Sequence, residues 1–128
     1  MILDSSALVA VLLREPGWQA LLGRIAADET AAVGAPTLAE TGLVLTARLG
    51  RDARRLLSAF VREAGITVVP FVEEHARVAV EAYARYGKGR HPAALNFGDC
   101  LTYAVARLSG QPLLCAGDDF PRTDLPIA

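Results

Sequence analysis

The sequence predicts an α/β fold, a three-layer α/β/α sandwich with a mainly parallel central sheet. Short apolar segments alternate with longer segments of helical periodicity from the start of the chain to its end. Such alternation builds parallel sheets whose right-handed crossover helices cover both faces. The chain has 128 residues, of which 52% are hydrophobic and 21% charged. This length and composition suit one domain with a sizeable core, so residues 1–128 are expected to form a single domain.

The first half of the chain contains two predicted strands and three predicted helices. Pro16 and Gly17 separate the first two helices, because neither residue continues a helix well. Pro36 suits the first turn of the third helix, and Gly50 suits its C-terminal end. In order, we expect a strand at 1–3, helices at 6–13 and 18–27, a strand at 30–33 and a helix at 36–50.

The second half repeats the alternation. Asp52 can cap a helix whose apolar residues recur at helical spacing, and Gly65 ends that helix before a β-branched run. A loop rich in glycine and positive charge separates the last two helices. In order, we expect a helix to residue 64, a strand at 66–69, a helix at 73–86, a loop at 87–92, a helix from 97 or 98 to 109, and a strand at 112–115.

The composition indicates a cytoplasmic protein without a membrane span. The longest apolar run covers residues 7–13, far short of the roughly 20 residues that cross a bilayer. Asp4 lies where a secretory signal would carry positive charge. Cys100 and Cys115 are too few for a disulfide framework or a zinc site, so both are expected to be free thiols.

Acidic residues are expected to gather at one edge of the sheet. Asp4 follows the first predicted strand, and Asp118 and Asp119 follow the last one. The carboxyl ends of parallel strands share one edge, where α/β proteins bind ligands. Asp99 falls in the first turn of a helix, and Glu40 lies in an apolar helical stretch where a buried carboxylate needs a partner. Alone, Asp99 could be a helix cap, and Asp118 and Asp119 could be turn residues.

Together, these acids indicate a metal site. No basic residue lies within three positions of Asp4, Glu40, Asp99 or Asp118. Two carboxylates about 4 Å apart repel by roughly 4 kcal/mol at an effective dielectric constant of about 20, so the cluster needs a cation. An all-oxygen ligand set matches Mg²⁺, or Mn²⁺, and such an ion suits the hydrolysis of phosphodiesters.

Two serines follow the first acid. The hydroxyls of Ser5 and Ser6 could orient Asp4 or a water bound to the metal. They could equally cap the helix that follows, and one residue can fill both roles.

Four motifs follow one another along the chain: Met1-Ile2-Leu3-Asp4-Ser5-Ser6-Ala7, Thr37-Leu38-Ala39-Glu40, Leu95-Asn96-Phe97-Gly98-Asp99-Cys100 and Leu113-Leu114 leading into Gly117-Asp118-Asp119-Phe120. This ordered set resembles PIN-domain ribonucleases, and more narrowly the VapC-type toxins of bacterial type II toxin–antitoxin pairs, from Met1 to about Leu125. The resemblance implies a PIN fold, Mg²⁺-dependent endoribonuclease activity on structured cellular RNA, a cognate antitoxin and a homodimer.

The resemblance also assigns roles to the acids. It implies that Asp4 and Asp99 are the main metal ligands and that Glu40 is the family's second acid. Gly117 occupies the position of the fourth acid, so Asp118 or Asp119 takes that role. Cys115 stands where many PIN domains have threonine.

The basic residues and the net charge bear on the substrate. Lys88 and Arg90 precede Asp99 and could bind RNA phosphates, or they could belong to a solvated loop. The formal charge is −1, with 13 basic and 14 acidic residues. Setting aside the five candidate acids leaves nine acidic residues. The rest of the domain is thus mildly basic, which is compatible with RNA.

Two other functions remain open from the sequence alone. A phosphoacceptor receiver-like domain has a similar length and alternation, but it usually carries adjacent acids after the first strand and a late lysine in the sheet. Here serines follow Asp4, and Lys88 is the sole lysine. The second alternative is a non-catalytic RNA-binding or dimerisation module with the same fold. The high hydrophobic fraction favours a homodimer and an antitoxin that covers exposed helices.

Overall fold

A four-stranded parallel sheet forms the centre of the molecule. The computed structural model describes all residues from Met1 to Ala128. The strands lie in the order β3-β2-β1-β4, and every pairing is parallel. Their bounds are Ile2–Leu3 for β1, Ala32–Gly34 for β2, Thr67–Val69 for β3 and Leu113–Leu114 for β4. The expected parallel α/β fold is confirmed, and all four carboxyl ends lie at one edge.

Six helices connect and cover the strands. Three of them, at 18–27, 73–86 and 97–109, have the expected bounds, and the other three differ by one or two residues. Gly50 ends the third helix in the left-handed region, with φ 67°, as its C-terminal position predicts. The helices are α1 (Ser5–Leu12), α2 (Trp18–Ala27), α3 (Ala35–Leu49), α4 (Arg54–Glu63), α5 (Glu73–Tyr86) and α6 (Phe97–Ser109), with a 3₁₀ turn at Phe120–Arg122.

Local hydrogen bonds explain where the bounds differ from expectation. Asp28 accepts hydrogen bonds from the backbone N–H and the hydroxyl of Thr30, both at 2.8 Å. This turn holds Thr30 out of the ladder, so β2 begins at Ala32. The sequence predicts Asp52 as the cap of α4, but the N-cap residue is Ala53; Asp52 instead accepts a hydrogen bond from the Arg54 N–H at 3.0 Å in a turn just before the helix.

The side chains of the strands alternate between two hydrophobic clusters, one on each face of the sheet. Ile2 and Leu113 pack with residues of α5 and α6 on one face. Leu3 and Leu114 pack with residues of α1 and with Ile25 of α2 on the other face. This period of two is that of a strand buried on both sides, and it produces the expected three layers.

The strand order separates this fold from a receiver-like domain. Receiver-like sheets place the first strand between the second and the third. Here β1 lies between β2 and β4, and β2 lies between β1 and β3. The receiver-like alternative is therefore wrong. None of the helices is both long and apolar enough to cross a bilayer.

Candidate active site

Asp4 is a buried carboxylate held in place by three hydrogen bonds. It follows β1, caps the N-terminus of α1 and is 4% exposed. Its Oδ2 accepts from the Ser6 N–H at 3.1 Å and from the Ser6 hydroxyl at 2.6 Å, and its Oδ1 accepts from the Thr102 hydroxyl at 2.9 Å. A carboxylate offers about four acceptor positions. The orientation of Asp4 is thus fixed, while Oδ1 keeps capacity for another partner.

Thr102 extends this network into the core. Because its single proton goes to Asp4, the Thr37 hydroxyl must be the donor in the 2.9 Å contact between the two threonines. Both threonines are buried. Thr37 lies three residues before Glu40, and Thr102 lies three residues after Asp99, so each shares a helix face with an acid. The sequence analysis missed both threonines, and this spacing is the signal that could have revealed them.

The Ser6 hydroxyl links the segments that follow β1 and β4. Its hydroxyl donates to Asp4 and accepts from the Ala116 N–H at 3.0 Å. The segment after β4 is thereby tied to the residue after β1. Ser5 is half-buried and is not among the hydrogen-bond partners of Asp4. Of the two serines proposed to orient Asp4, only Ser6 contacts it.

Asp99 begins α6 in a reciprocal cap with Asn96. The Asp99 N–H donates to the Asn96 side chain at 2.9 Å, and the Asp99 carboxylate accepts from the Asn96 N–H at 3.0 Å. The pKa of Asp99 is raised to about 6, first by burial and then by the negative charges of Asp4, Asp119 and Glu40, while the Asn96 hydrogen bond opposes the shift. Such charge effects weaken with distance. Contacts with α6 place two other acids near Asp99, since Asp4 accepts from Thr102 and the Glu40 carboxylate lies against Gly98.

Gly98 makes room for the second acid. A Cβ at this position would lie 2.5 Å from Oε2 of Glu40. The Glu40 carboxylate consequently lies against the α6 backbone, one residue before Asp99. Any side chain at position 98 would displace it.

The candidate pair Asp118–Asp119 follows β4. Asp119 is the member of the Asp118–Asp119 pair whose charge raises the pKa of Asp99. Gly117 has φ 96°, a left-handed conformation in which an aspartate would be strained. The backbone at position 117 therefore favours glycine over an acid.

Basic residues do not neutralise the acids. None of the ion pairs in the structure includes Asp4, Glu40, Asp99, Asp118 or Asp119. Lys88 and Arg90 are exposed on the loop before α6. The Arg90 guanidinium lies over the Tyr83 ring, 5.7 Å from its centroid. These two cations are thus available to a ligand and are not used by the carboxylates.

The donor chemistry fits a hard divalent cation. As the side chains stand, no group of three or more histidine, cysteine, aspartate or glutamate side chains is close enough to hold a metal ion. The gathered donors are nevertheless all carboxylate oxygens without a cationic partner, which is the donor type that Mg²⁺ prefers. Burial first, and then the neighbouring acids, raise the pKa of the Cys115 thiol to about 11. The thiol stays protonated at neutral pH and adds no soft ligand.

A model of the PIN domain matches residues 1–125 of this chain. The chain therefore belongs to the PIN-domain family. Ribonuclease VapC36 of Mycobacterium tuberculosis is 49% identical to this PIN domain over 126 residues, which cover 98% of this chain and 91% of that protein. Ribonuclease VapC of Mycolicibacterium smegmatis is 42% identical over 125 residues, which cover 98% and 97% of the two chains. The resemblance to VapC-type proteins is confirmed.

Solved structures share the fold of this PIN domain. The crystal structure of Mycobacterium tuberculosis VapC20, described as a sarcin-ricin loop cleaving toxin, superposes with a TM-score of 0.81 at 19% identity and covers 99% of this chain and 97% of that one. A toxin–antitoxin complex from Klebsiella pneumoniae superposes with a TM-score of 0.72 at 15% identity, with coverage of 99% and 95%. At these identities the likeness concerns the fold alone.

Proposed function

We propose that this PIN domain is a Mg²⁺-dependent endoribonuclease that hydrolyses RNA phosphodiester bonds and acts as the toxin of a cytoplasmic toxin–antitoxin pair. The observation that carries the proposal is that Asp4 and Glu40 both contact the first two turns of α6, which begins with Asp99, while none of these acids has a basic partner. Its relatives at 42–49% identity, which are named VapC ribonucleases, support it.

Asp4 and Asp99 are the proposed metal ligands. When bound, Mg²⁺, or Mn²⁺ in its place, supplies a Lewis acid for the phosphoryl oxygen and the attacking water. Ser6 and Thr102 fix the orientation of the Asp4 carboxylate. Asn96 does the same for Asp99 through the cap of α6. These supports hold the two ligands still, as efficient catalysis requires.

Glu40 and Asp119 complete the proposed site. Each is an acid whose charge reaches Asp99, and each can accept the proton that an attacking water releases. Asp118 follows the same strand, but Asp119 is favoured as the fourth acid because its charge is the one that acts on Asp99.

Metal removal tests the function. We expect the domain to cleave RNA in Mg²⁺, to lose cleavage in excess EDTA and to regain it when Mg²⁺ is restored. The midpoint of thermal unfolding, Tm, should also rise with Mg²⁺, because a ligand at about 100 times its Kd stabilises the folded state by about 2.7 kcal/mol. Cleavage that survives EDTA would contradict the metal requirement. A folded domain that fails to cleave RNA with any divalent metal would instead be the non-catalytic module.

The loop before α6 is proposed to bind RNA phosphates through Lys88 and Arg90. Replacing both with alanine should weaken binding to single-stranded RNA and reduce the slope of log K against log salt by about 1.4, or about 0.7 for each lost phosphate contact. Fluorescence anisotropy over a salt series measures this slope. Arg24→Ala is the control, because it removes an exposed charge from α2. A slope that stays at the wild-type value in the double variant would mean that the loop is only solvated.

An antitoxin is proposed to cover an apolar groove between α3 and α4. The groove has a volume of about 890 Å³ and is lined largely by apolar residues, including Leu43, which is 73% exposed. The chain is also proposed to form a homodimer. Light scattering at micromolar concentration measures the dimer, and a monomer would contradict it. Val68 lines this groove and is 40% exposed, and Val68→Asp should reduce co-purification of the coexpressed antitoxin while leaving cleavage by the isolated domain intact.

A further inference from the structure

A second, apolar cleft adjoins the carboxylates. It has a volume of about 420 Å³, within the range of small-ligand sites, and lies between the N-terminal parts of α3 and α6. Pro36, Leu43, Phe97 and Leu101 supply its apolar lining, and Glu40 lies in its wall. Glu40 belongs to the proposed catalytic site, so whatever fills the cleft lies beside the reacting phosphate.

Phe97 is exposed at the mouth of this cleft. It is the first residue of α6, two positions before Asp99, and 79% of it is accessible to solvent. Phenylalanine is usually buried, and an exposed ring beside a cleft offers an aromatic face to a ligand. Asn96 and Asp99 form the N-terminal cap of α6. Phe97 is therefore not needed for capping, and capping does not explain why its ring is exposed.

The charge of the site favours a stacking contact here over an ionic one. The carboxylates near Asp99 repel the phosphates of RNA, and the cations of the RNA-binding loop lie outside this cleft. Base–aromatic stacking does not depend on charge of one sign and contributes strongly to the binding of single-stranded RNA. A base held at Phe97 would position its own phosphate towards the acids without adding negative charge to the cleft.

We infer that Phe97 and the adjoining cleft form a subsite for one unpaired nucleobase of the RNA, next to the phosphodiester that is cleaved. The inference rests on the proposed ribonuclease function and adds a residue that positions the substrate. The ring stacks on the base, and the apolar walls from Pro36 and Leu101 exclude water from its other faces. The base must be unpaired, because a base within an RNA double helix would first have to break its pairing and stacking to reach the Phe97 ring.

Four variants of one position and one control test this subsite. Binding of a short single-stranded RNA is measured in EDTA by fluorescence anisotropy, together with cleavage in Mg²⁺. Phe97→Ala and Phe97→Leu should each raise the Kd about tenfold, and Phe97→Tyr and Phe97→Trp should stay within about twofold of wild type. The salt slope should not change, because no phosphate contact is lost. Val80→Ala removes an equally exposed apolar side chain from α5 and should bind as wild type.

Results that differ from these expectations would contradict the proposed base subsite at Phe97. Wild-type affinity in Phe97→Leu would mean that the contact is only apolar, and wild-type affinity in Phe97→Ala would remove the base contact altogether. If Phe97→Ala instead turns a dimer into a monomer without changing RNA affinity, this face is an interface between two copies of the chain. A wild-type domain that neither binds nor cleaves RNA would overturn the proposed function and the subsite with it. A domain that cleaves RNA independently of Phe97 would overturn the subsite alone.

Discussion

Asp99→Asn is expected to abolish RNA cleavage and, at neutral pH, to make the folded domain more stable. The substitution removes a proposed metal ligand, whose loss should lower the cleavage rate by at least about 100-fold. It also removes a charge that burial and three neighbouring acids disfavour, as the pKa of about 6 shows. Asparagine keeps an oxygen that can accept from the Asn96 N–H, so the cap of α6 can survive.

The stability gain should depend on pH in a defined direction. The pKa of Asp99 is raised from 3.8 to about 6 in the folded state, so the folded state binds the proton more tightly than the unfolded state. The contribution of Asp99 to the free energy of unfolding is therefore greatest below pH 4, and it is lost as the pH rises through about 6. Because Asp99 is only partly buried, we expect the gain in Asp99→Asn above pH 7 to be about 1 kcal/mol, or about 4 °C in Tm.

Thermal unfolding at pH 4 and pH 7.5 without metal measures this gain. The two proteins should unfold at nearly the same temperature at pH 4, and the variant should be more stable at pH 7.5. Asp118→Asn is the matched control, since it removes one charge from the same edge without removing a proposed ligand. A variant less stable than wild type at pH 7.5 would show that the carboxylate is not under repulsion. Cleavage by Asp99→Asn at the wild-type rate would show that Asp99 is not a metal ligand.

The arrangement of strands and helices could be predicted because it follows from local patterns. The helix at 73–86 shows its apolar spacing and its terminal glycine in the sequence itself. Acids at strand ends also follow from a general rule, since parallel strands share their carboxyl edge. The convergence of Asp4 with Asp99 could thus be anticipated from topology.

What could not be predicted depends on contacts between distant segments. Thr102 and Asp4 are 98 residues apart, and their hydrogen bond depends on how α6 crosses β1. The choice between Asp118 and Asp119 likewise depends on the turn after β4, where Gly117 has φ 96°. Phenylalanine is usually buried, yet Phe97 is 79% exposed. Side-chain direction at a helix start is set by the neighbouring helix, which no local pattern records.

Asp4→Asn is expected to abolish cleavage as well, but with the opposite effect on stability. The native carboxylate accepts from Ser6 on one oxygen and from Thr102 on the other. An asparagine has one oxygen and one NH₂ group, so one of these donors would face another donor. Asp4 is only 4% exposed, so the mismatched donor is poorly placed to find a water instead. Such a loss should cost about 1–3 kcal/mol of unfolding free energy, or about 4–10 °C in Tm.

Two threonine variants separate the loss of stability from the loss of a ligand. Thr102→Val removes one of the three hydrogen bonds to Asp4, and it should lower both Tm and cleavage. Thr41→Val removes a buried hydrogen bond to the Thr37 carbonyl, away from Asp4, and it should lower Tm by a similar amount with cleavage unchanged. Cleavage is measured well below the Tm of each variant. If Asp4→Asn cleaves RNA at the wild-type rate under these conditions, Asp4 is a structural cap of α1 and not a metal ligand. If Asp4→Asn unfolds at the wild-type temperature, the hydrogen-bond network does not hold Asp4 in place.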